Sequence, residues 1–372
     1  MKIMVSCAGT GGHVYPGIAV ANELRYRHPE WEFLFVGCSD EFGIEKKLVP
    51  DNGYDLACIN VDSFETFYSK WKKIKVAFSL FGSLGEALKE ISKFKPDMVL
   101  GMGGFVCGPV VLAAKLKNIP TLIAEQNVIP GKTNKILSAF ADRICISFEA
   151  SKQYMIKSDR CILTGNPLRR EFDMFSRESS RKMLGLSDTD KMVLVFGGSL
   201  GAQNLNKAVI KLISELMENR DVRLFFITGE ENHAECLREL AEKNVDISKH
   251  SHINVMPYSD EMPKLMNAAD LAVCRSGATT IAEINYIGIP AVYVPLKHAA
   301  NDHQRKNAMA GVEKKAALMV EDDENLADNL MKQVKYLLAN TSVRAKMAAN
   351  SKSMGKANSV GLICDIIEET VK

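Results

Sequence analysis

The residue types able to do chemistry lie in short polar or glycine-rich segments, each following an apolar run. The first is Gly9-Thr10-Gly11-Gly12-His13. Glycines there let backbone N–H groups approach an anionic or sugar ligand, and the N-terminus of a following helix adds partial positive charge. A neutral imidazole at His13 can take a proton from a sugar hydroxyl, or can instead orient a ligand or cap the helix. Val14 breaks the G-x-G-x-x-G spacing, and Val36-Gly37-Cys38 stands where a dinucleotide-binding fold carries an acidic residue, so a nicotinamide cofactor is disfavoured. The loop also lacks the Gly-Lys-Ser/Thr of a Walker phosphate loop.

Further segments have the same character. Gly101-Met102-Gly103-Gly104-Phe105 reads as a second backbone cradle or as close helix–strand packing. Glu125-Gln126-Asn127 offers a carboxylate and two amides at a strand end, which suit sugar hydroxyls or cap the next helix; Glu125 is an alternative general base. Gly197-Gly198-Ser199-Leu200-Gly201 places Ser199 beside a helix N-terminus where it can donate to phosphate, and Arg169 and Arg170 can reach a diphosphate or line a solvated hinge. Arg275 to Glu283 is the most informative run. Ser276 to Thr280 are small enough to expose N–H donors to a phosphate, and Glu283 falls one turn after Thr280, where it can accept both ribose hydroxyls or close a capping box on Thr280. The polar stretch from Pro295 past His298 to Asn301-Asp302-His303-Gln304 brings Gln304 and Asn307 to one face. Adjacent Asp302 and His303 lack the i, i+4 spacing of helical metal ligands, so no metal is expected.

These segments need a frame. Strands are predicted at Ile3–Ser6, Phe33–Val36, Met98–Gly101, Thr121–Ala124, Ile144–Ser147 and Ile162–Thr164, and again at Met192–Phe196, Leu224–Thr228, Ile253–Met256, Leu271–Cys274 and Ala291–Val294. Helix-length stretches such as Ala202–Met217 and Glu261–Ala269 lie between them. That alternation predicts an α/β fold with parallel sheets covered on both faces. The pattern strand, glycine loop, helix begins at Met1 and recurs at Lys191, which predicts two Rossmann-like domains in tandem. The expected boundary follows Thr164, giving domains 1–164 and 165–345, with helical residues 346–372 joining the first. Ligands in such sheets bind at the carboxyl ends of the strands, so the chemistry is expected in a cleft between the two domains.

Composition fits this frame. The chain has 372 residues, 47% hydrophobic, with 47 Lys and Arg against 45 Asp and Glu, a net charge of +2. Near-neutrality argues against a surface built to grip nucleic acid. Nine scattered Cys without a C-x-x-C pair read as reduced core residues of a cytosolic protein. No apolar run is long enough to span a membrane. Ser69–Lys95 differs from the rest: seven Lys against two Glu, interleaved with Trp71, Phe78 and Phe81, suit an anionic membrane surface through Lys70, Lys72, Lys73 and Lys75, or form an ordinary helix with a solvated face.

In order along nearly the whole chain, the loops resemble the peptidoglycan glycosyltransferases that add N-acetylglucosamine to lipid I. The matching segments are Gly9–Gly17, Gly101–Pro109, Glu125–Asn127 with Thr133-Asn134-Lys135, Thr164–Arg169, Gly197–Asn204, Cys274–Glu283, and Gly288–Pro290 through Gln304 and Asn307. The resemblance implies a GT-B fold with an N-terminal acceptor domain, a C-terminal nucleotide domain, and a last helix that returns to the first. It implies that UDP-N-acetylglucosamine is a substrate, that no cofactor is used, and that transfer inverts the anomeric centre with His13, or else Glu125, as base. Thr10, Gly11, Gly12 and Asn127 would contact the donor, Arg169 and Ser199 its diphosphate, Ala278, Thr279, Thr280, Ile281, Ala282 and Glu283 its ribose and phosphate, and Gln304 its sugar hydroxyls. Gly103, Gly104, Phe105 and Asn134 would form the acceptor and diphosphate loop. Ser259 stands where the family has an apolar residue near uracil, and the run from Pro295 to Gln304 is one residue longer than the family's. The implied partners are lipid I, the anionic cytoplasmic face of a bacterial plasma membrane and other cell-wall synthesis proteins. Two other readings stand beside this one: a sugar-nucleotide epimerase of similar fold, and a non-catalytic nucleotide-sugar binding protein.

Overall fold

In a computed structural model, residues 1–39, 43–61, 70–198 and 202–371 are described, with only the backbone described for 70–80 and for Ala300. Two compact units form: Met1–Arg169 together with Asn358–Lys372, and Arg170–Ala357.

In the first unit the elements are β1 (Lys2–Ser6), α1 (Gly11–Arg27), β2 (Glu32–Cys38), α2 (Glu45–Asp51), β3 (Asp55–Ile59), α3 (Lys70–Phe94), β4 (Met98–Gly101), α4 (Cys107–Leu116), β5 (Thr121–Glu125), α5 (Lys132–Leu137), β6 (Arg143–Ile146) and β7 (Cys161–Leu163). The sheet order is β3-β2-β1-β4-β5-β6-β7. All pairings are parallel; Val5 lies between Phe35 of β2 and Leu100 of β4. Strand pleating sends Ile3 and Val5 to a core cluster on one face, and Met4 to a second cluster on the other. Both faces are therefore covered, which explains why these strands are apolar without alternation.

The second unit repeats the plan. Its elements are α6 (Arg177–Met183), β8 (Lys191–Phe196), α7 (Gln203–Leu216), β9 (Val222–Ile227), α8 (His233–Glu242), β10 (Ile253–Met256), α9 (Met262–Ala268), β11 (Leu271–Cys274), α10 (Ala278–Ile287), β12 (Ala291–Tyr293), α11 (His303–Glu313), β13 (Ala317–Met319), α12 (Leu326–Ala339) and α13 (Thr341–Met354). Its parallel sheet runs β10-β9-β8-β11-β12-β13.

Strand order reverses direction at β1 and β4 in the first sheet, and at β8 and β11 in the second. Such a switch point opens a crevice at the carboxyl ends of the two strands. The segments that follow those strands are Gly9–His13, Gly101–Phe105, Gly197-Gly198 and Arg275–Thr279. The glycine-rich loops thus stand where each sheet can take a ligand.

Two expectations need correction. The strands β3 and β13 were not expected, and each forms a sheet edge. The chain also returns to the first unit at Asn358, not at 346. The reason is packing. Met347 of α13 is buried in the second unit's core, and Ser351 Oγ donates to Asn285 Oδ1 at 3.1 Å. A Cβ on Gly355 would come within 2.6 Å of the Asn285 carbonyl oxygen, so the end of α13 lies tight against α10. Only the final helix α14 (Ser359–Val371) docks on α1, burying Ile363, Cys364 and Ile367 beside Val14, Ile18 and Leu24. Arg27 pairs with Asp365 at 2.6 Å along its edge.

Candidate active site

In the first unit the site grows from the loop after β1. Thr10 is extended and precedes α1, but its side chain caps nothing, which leaves the first-turn N–H groups of Gly11 and Gly12 without a side-chain acceptor from the cap. His13 belongs to the first turn of α1 rather than to a loop tip. Its Nδ1 lies 3.2 Å from the Ala8 carbonyl oxygen. A carbonyl only accepts, so Nδ1 carries the hydrogen and, in the neutral ring, Nε2 is the basic nitrogen.

The loop after β4 presses on this one. Gly103 and Gly104 have φ of +117° and +87°, which favour glycine. A Cβ on Gly103 would meet His13 Cδ2 at 2.3 Å, and one on Gly104 the Ala8 carbonyl oxygen at 2.7 Å. The two glycines therefore serve close approach to His13 and its anchor. Phe105 is half-buried and packs on the core. Cys107, which sequence reasoning did not single out, has its Sγ 3.2 Å from the Ser6 carbonyl oxygen, and burial pushes its thiol up to about 11. It stays a thiol, packed between the Ser6 carbonyl and Gly103.

Glu125 ends β5 and is 2% exposed. One carboxylate oxygen accepts from Asn127 N–H at 2.8 Å and Asn127 Nδ2 at 3.2 Å; the other accepts from Gly131 N–H at 3.1 Å and Asn134 Nδ2 at 2.9 Å. Burial raises its affinity for a proton and these donors oppose the rise; the net direction is upward. With four donors on two oxygens, the carboxylate is committed to holding the turn into α5. Asn134 is buried and also donates to the Ala124 carbonyl. Arg169 closes the first unit, its guanidinium 4.7 Å from the Tyr15 ring centre.

In the second unit, Ser199 lies outside the described residues. Helix α10 begins at Ala278 with Gly277 as its cap residue and no side-chain cap. Thr280 is therefore inside the first turn, and the capping box that Thr280 and Glu283 could have closed does not form. Ala278 and Ile281 are buried, so Ile281 can offer a ligand only its backbone, whereas Thr279, Thr280, Ala282 and Glu283 are half-buried. The loop is fixed from behind: Ser276 Oγ donates to the Gln304 carbonyl at 2.9 Å, and Gln304 Oε1 accepts from Leu296 N–H at 3.0 Å. Sequence reasoning gave no role to Arg275 and did not consider Asp322. They form a buried ion pair at 2.8 Å, and Asp322 also accepts from Asn204 Nδ2 at 3.0 Å. One carboxylate thus joins the start of α7 to the loop before α10. Ser259 Oγ accepts from Glu261 N–H at 3.2 Å in the turn before α9.

Of the basic segment, only Phe81 and later side chains are described; Lys70, Trp71, Lys72, Lys73, Lys75 and Phe78 fall outside. The described part of α3 buries Ser83, Ala87 and Ile91 at helical spacing, and Phe81 is 73% exposed. Among the described residues, no helix is long and apolar enough to cross a membrane, and no cluster of three metal-ligating residues occurs.

Comparison with known proteins agrees with this arrangement. Residues 3–146 match the glycosyltransferase family 28 N-terminal domain, and residues 192–363 match the glycosyltransferase family 28 C-terminal domain. A relative from Acetivibrio thermocellus is 39% identical over 100% of this chain and 99% of its own length. One from Halothermothrix orenii is 39% identical over 100% of both. Both are named UDP-N-acetylglucosamine--N-acetylmuramyl-(pentapeptide) pyrophosphoryl-undecaprenol N-acetylglucosamine transferase. The crystal structure of Acinetobacter baumannii MurG is similar with a TM-score of 0.77 at 26% identity, covering 99% of each chain. The UDP-GlcNAc 2-epimerase of Neisseria meningitidis, bound to UDP-GlcNAc, has a TM-score of 0.65 at 14% identity over 99% of this chain and 100% of its own, a likeness of fold alone. Two parallel-sheet units with matched switch-point loops, and relatives aligned from end to end, lead to one assignment: the chain belongs to glycosyltransferase family 28.

Proposed function

We propose that this enzyme transfers N-acetylglucosamine from UDP-N-acetylglucosamine to the muramyl 4-hydroxyl of undecaprenyl-pyrophosphoryl-MurNAc-pentapeptide (lipid I), giving lipid II for peptidoglycan. The observation that carries this reading is the full-length identity to relatives that bear that name. The acceptor oxygen attacks the anomeric carbon opposite the diphosphate. The new O–C bond forms as the bond to the UDP oxygen breaks, and configuration inverts. His13 Nε2 takes the hydroxyl proton, because the Nδ1 contact to Ala8 fixes the tautomer that makes Nε2 basic. Glu125 holds the turn into α5, since four donors already occupy its carboxylate. The N–H groups that begin α10, with Ser199 and Arg169, stabilise the charge that develops on the departing diphosphate. Glu283 accepts the ribose hydroxyls, and Gln304 meets the sugar. Thr10, Gly11, Gly12 and Asn127 touch the donor, while Gly103, Gly104, Phe105 and Asn134 shape the acceptor side.

A lipid acceptor requires the enzyme to work at a membrane surface. In this reading Lys70, Lys72, Lys73 and Lys75, with Trp71, Phe78 and Phe81, hold it peripherally on the anionic cytoplasmic face, near other cell-wall synthesis proteins. Each lysine close to such a surface contributes about 1 kcal/mol. Binding to vesicles containing phosphatidylglycerol should weaken as salt rises, and changing the four lysines to Glu should abolish it; unchanged sedimentation of that variant would remove the patch from the account.

The deciding assay supplies labelled UDP-N-acetylglucosamine and a lipid I analogue. Label should enter the lipid product, with UDP release dependent on the lipid. UDP release or sugar isomerisation without acceptor would favour an epimerase, and donor binding with no turnover would favour a binding protein.

A further inference from the structure

The carboxyl group of Glu45 lies beneath the first glycine loop, and neither the motif reading nor the proposed reaction uses it. It is fully buried. Its two oxygens accept from the loop after β1 and from the end of β2: Oε2 from Gly9 N–H at 3.1 Å, and Oε1 from Cys38 N–H at 3.2 Å. It begins α2, and Val49, one turn later, is buried on the same face, so the helix is set to aim this side chain inward. The surroundings are shaped to admit it. A Cβ on Gly37 would come within 2.8 Å of Glu45 Cγ, and one on Gly43 within 2.6 Å of Glu45 Oε1.

The Gly9–His13 loop is therefore held at two adjacent residues. Glu45 takes the N–H of Gly9, and His13 takes the carbonyl of Ala8. We infer that Glu45 is a positioning residue for the reaction: it fixes the Gly9–His13 loop, and through it the direction of the first-turn N–H groups of α1 and of the His13 ring. This inference rests on the proposed transfer for its kinetic consequence, but not for its structural one.

Physical chemistry supplies a sharp substitution. In Glu45→Gln the shape is kept, but one oxygen becomes an NH2 that must face an N–H donor, so one of the two anchors is lost. Gly43→Ala keeps the carboxyl group and moves it, because the added methyl occupies the space of Oε1. Misplacing a catalytic group by about 1 Å costs on the order of a hundredfold in rate.

The test measures both variants in the full chain. Expected in Glu45→Gln are a kcat for transfer to a lipid I analogue lowered about 10- to 100-fold, UDP affinity by calorimetry within twofold of the parent, and, among the described residues, faster amide exchange confined to residues 7–14, 38, 39 and 43. Gly43→Ala should change the same readouts in the same direction. Unchanged exchange at residues 7–14 in both variants would overturn the inference, as would a kcat within twofold of the parent in both. Exchange accelerated across the whole first unit with a lowered melting temperature would also overturn it, since that marks a merely structural acid. Were the parent itself unable to transfer the sugar, the proposed function would fail, and the exchange measurement would still decide whether Glu45 anchors the loop.

Discussion

In the proposed reaction, two side chains of the first unit divide into a proton acceptor and a support. His13 presents a basic Nε2 because its other nitrogen is tied to Ala8. Glu125 is a better-connected acid, and in the proposed reaction its four donors leave it holding the turn into α5 while His13 takes the proton. His13→Ala should therefore lower kcat by roughly 10²- to 10⁴-fold, the usual worth of a general base, with little change in UDP affinity. Glu283 belongs to the other class of effect. A hydrogen bond to a charged acceptor contributes about 1.5–3 kcal/mol, so Glu283→Ala should raise the UDP-N-acetylglucosamine KM or UDP dissociation constant about 10- to 100-fold and leave kcat within a few-fold. Steady-state kinetics and calorimetry on the two variants would show opposite patterns; matching patterns would mean that the roles have been misassigned.

At the level of elements, α14 is the part most exposed to a single substitution. Ile363 and Ile367 are fully buried against α1, and truncating one of them to Ala leaves a cavity. Ile363→Ala should cost about 2–5 kcal/mol in urea unfolding, read as a lower midpoint without a changed slope. The strands that carry the site were legible because each is an apolar run closed by glycine or a polar residue, as in Met98–Gly101 and Leu271–Cys274. Of the four edge strands, β7 and β10 were legible in the same way, and β3 and β13 were not. Both lie in short apolar runs, Leu56–Ile59 and Ala316–Val320, but such runs do not by themselves separate a strand from a buried helix segment, and no glycine-rich loop follows either one. Site residues were legible where backbone geometry demands glycine or small residues. Glu45, Asp322 and the four-donor saturation of Glu125 were not, because a buried carboxylate is defined by partners distant in sequence: Asp322 meets Arg275 and Asn204, and Glu45 meets Gly9. No local pattern encodes that.

For the molecule as a whole, the second unit is one uninterrupted stretch, Arg170–Ala357, whereas the first is completed by a distant segment. The second unit has its own sheet and its own core, and the proposed function places the described uridine- and ribose-side residues in it, with Arg169 and the Gly9–His13 loop in the first unit. Residues 170–357 produced alone should therefore fold cooperatively and bind UDP; a calorimetric titration without heat of binding would place essential uridine contacts elsewhere. Residues 1–169 alone should be less stable and more prone to association, because the apolar stripe of α1 that faces Ile363, Cys364 and Ile367 would meet water. The same arrangement matters on the ribosome. The stripe on α1 is made before residues 170–357 and its cover after them, so the nascent chain must carry an open greasy seam throughout synthesis of 170–357. A holdase-type chaperone would find its binding site there, and slow translation of 170–357 would lengthen the hazard.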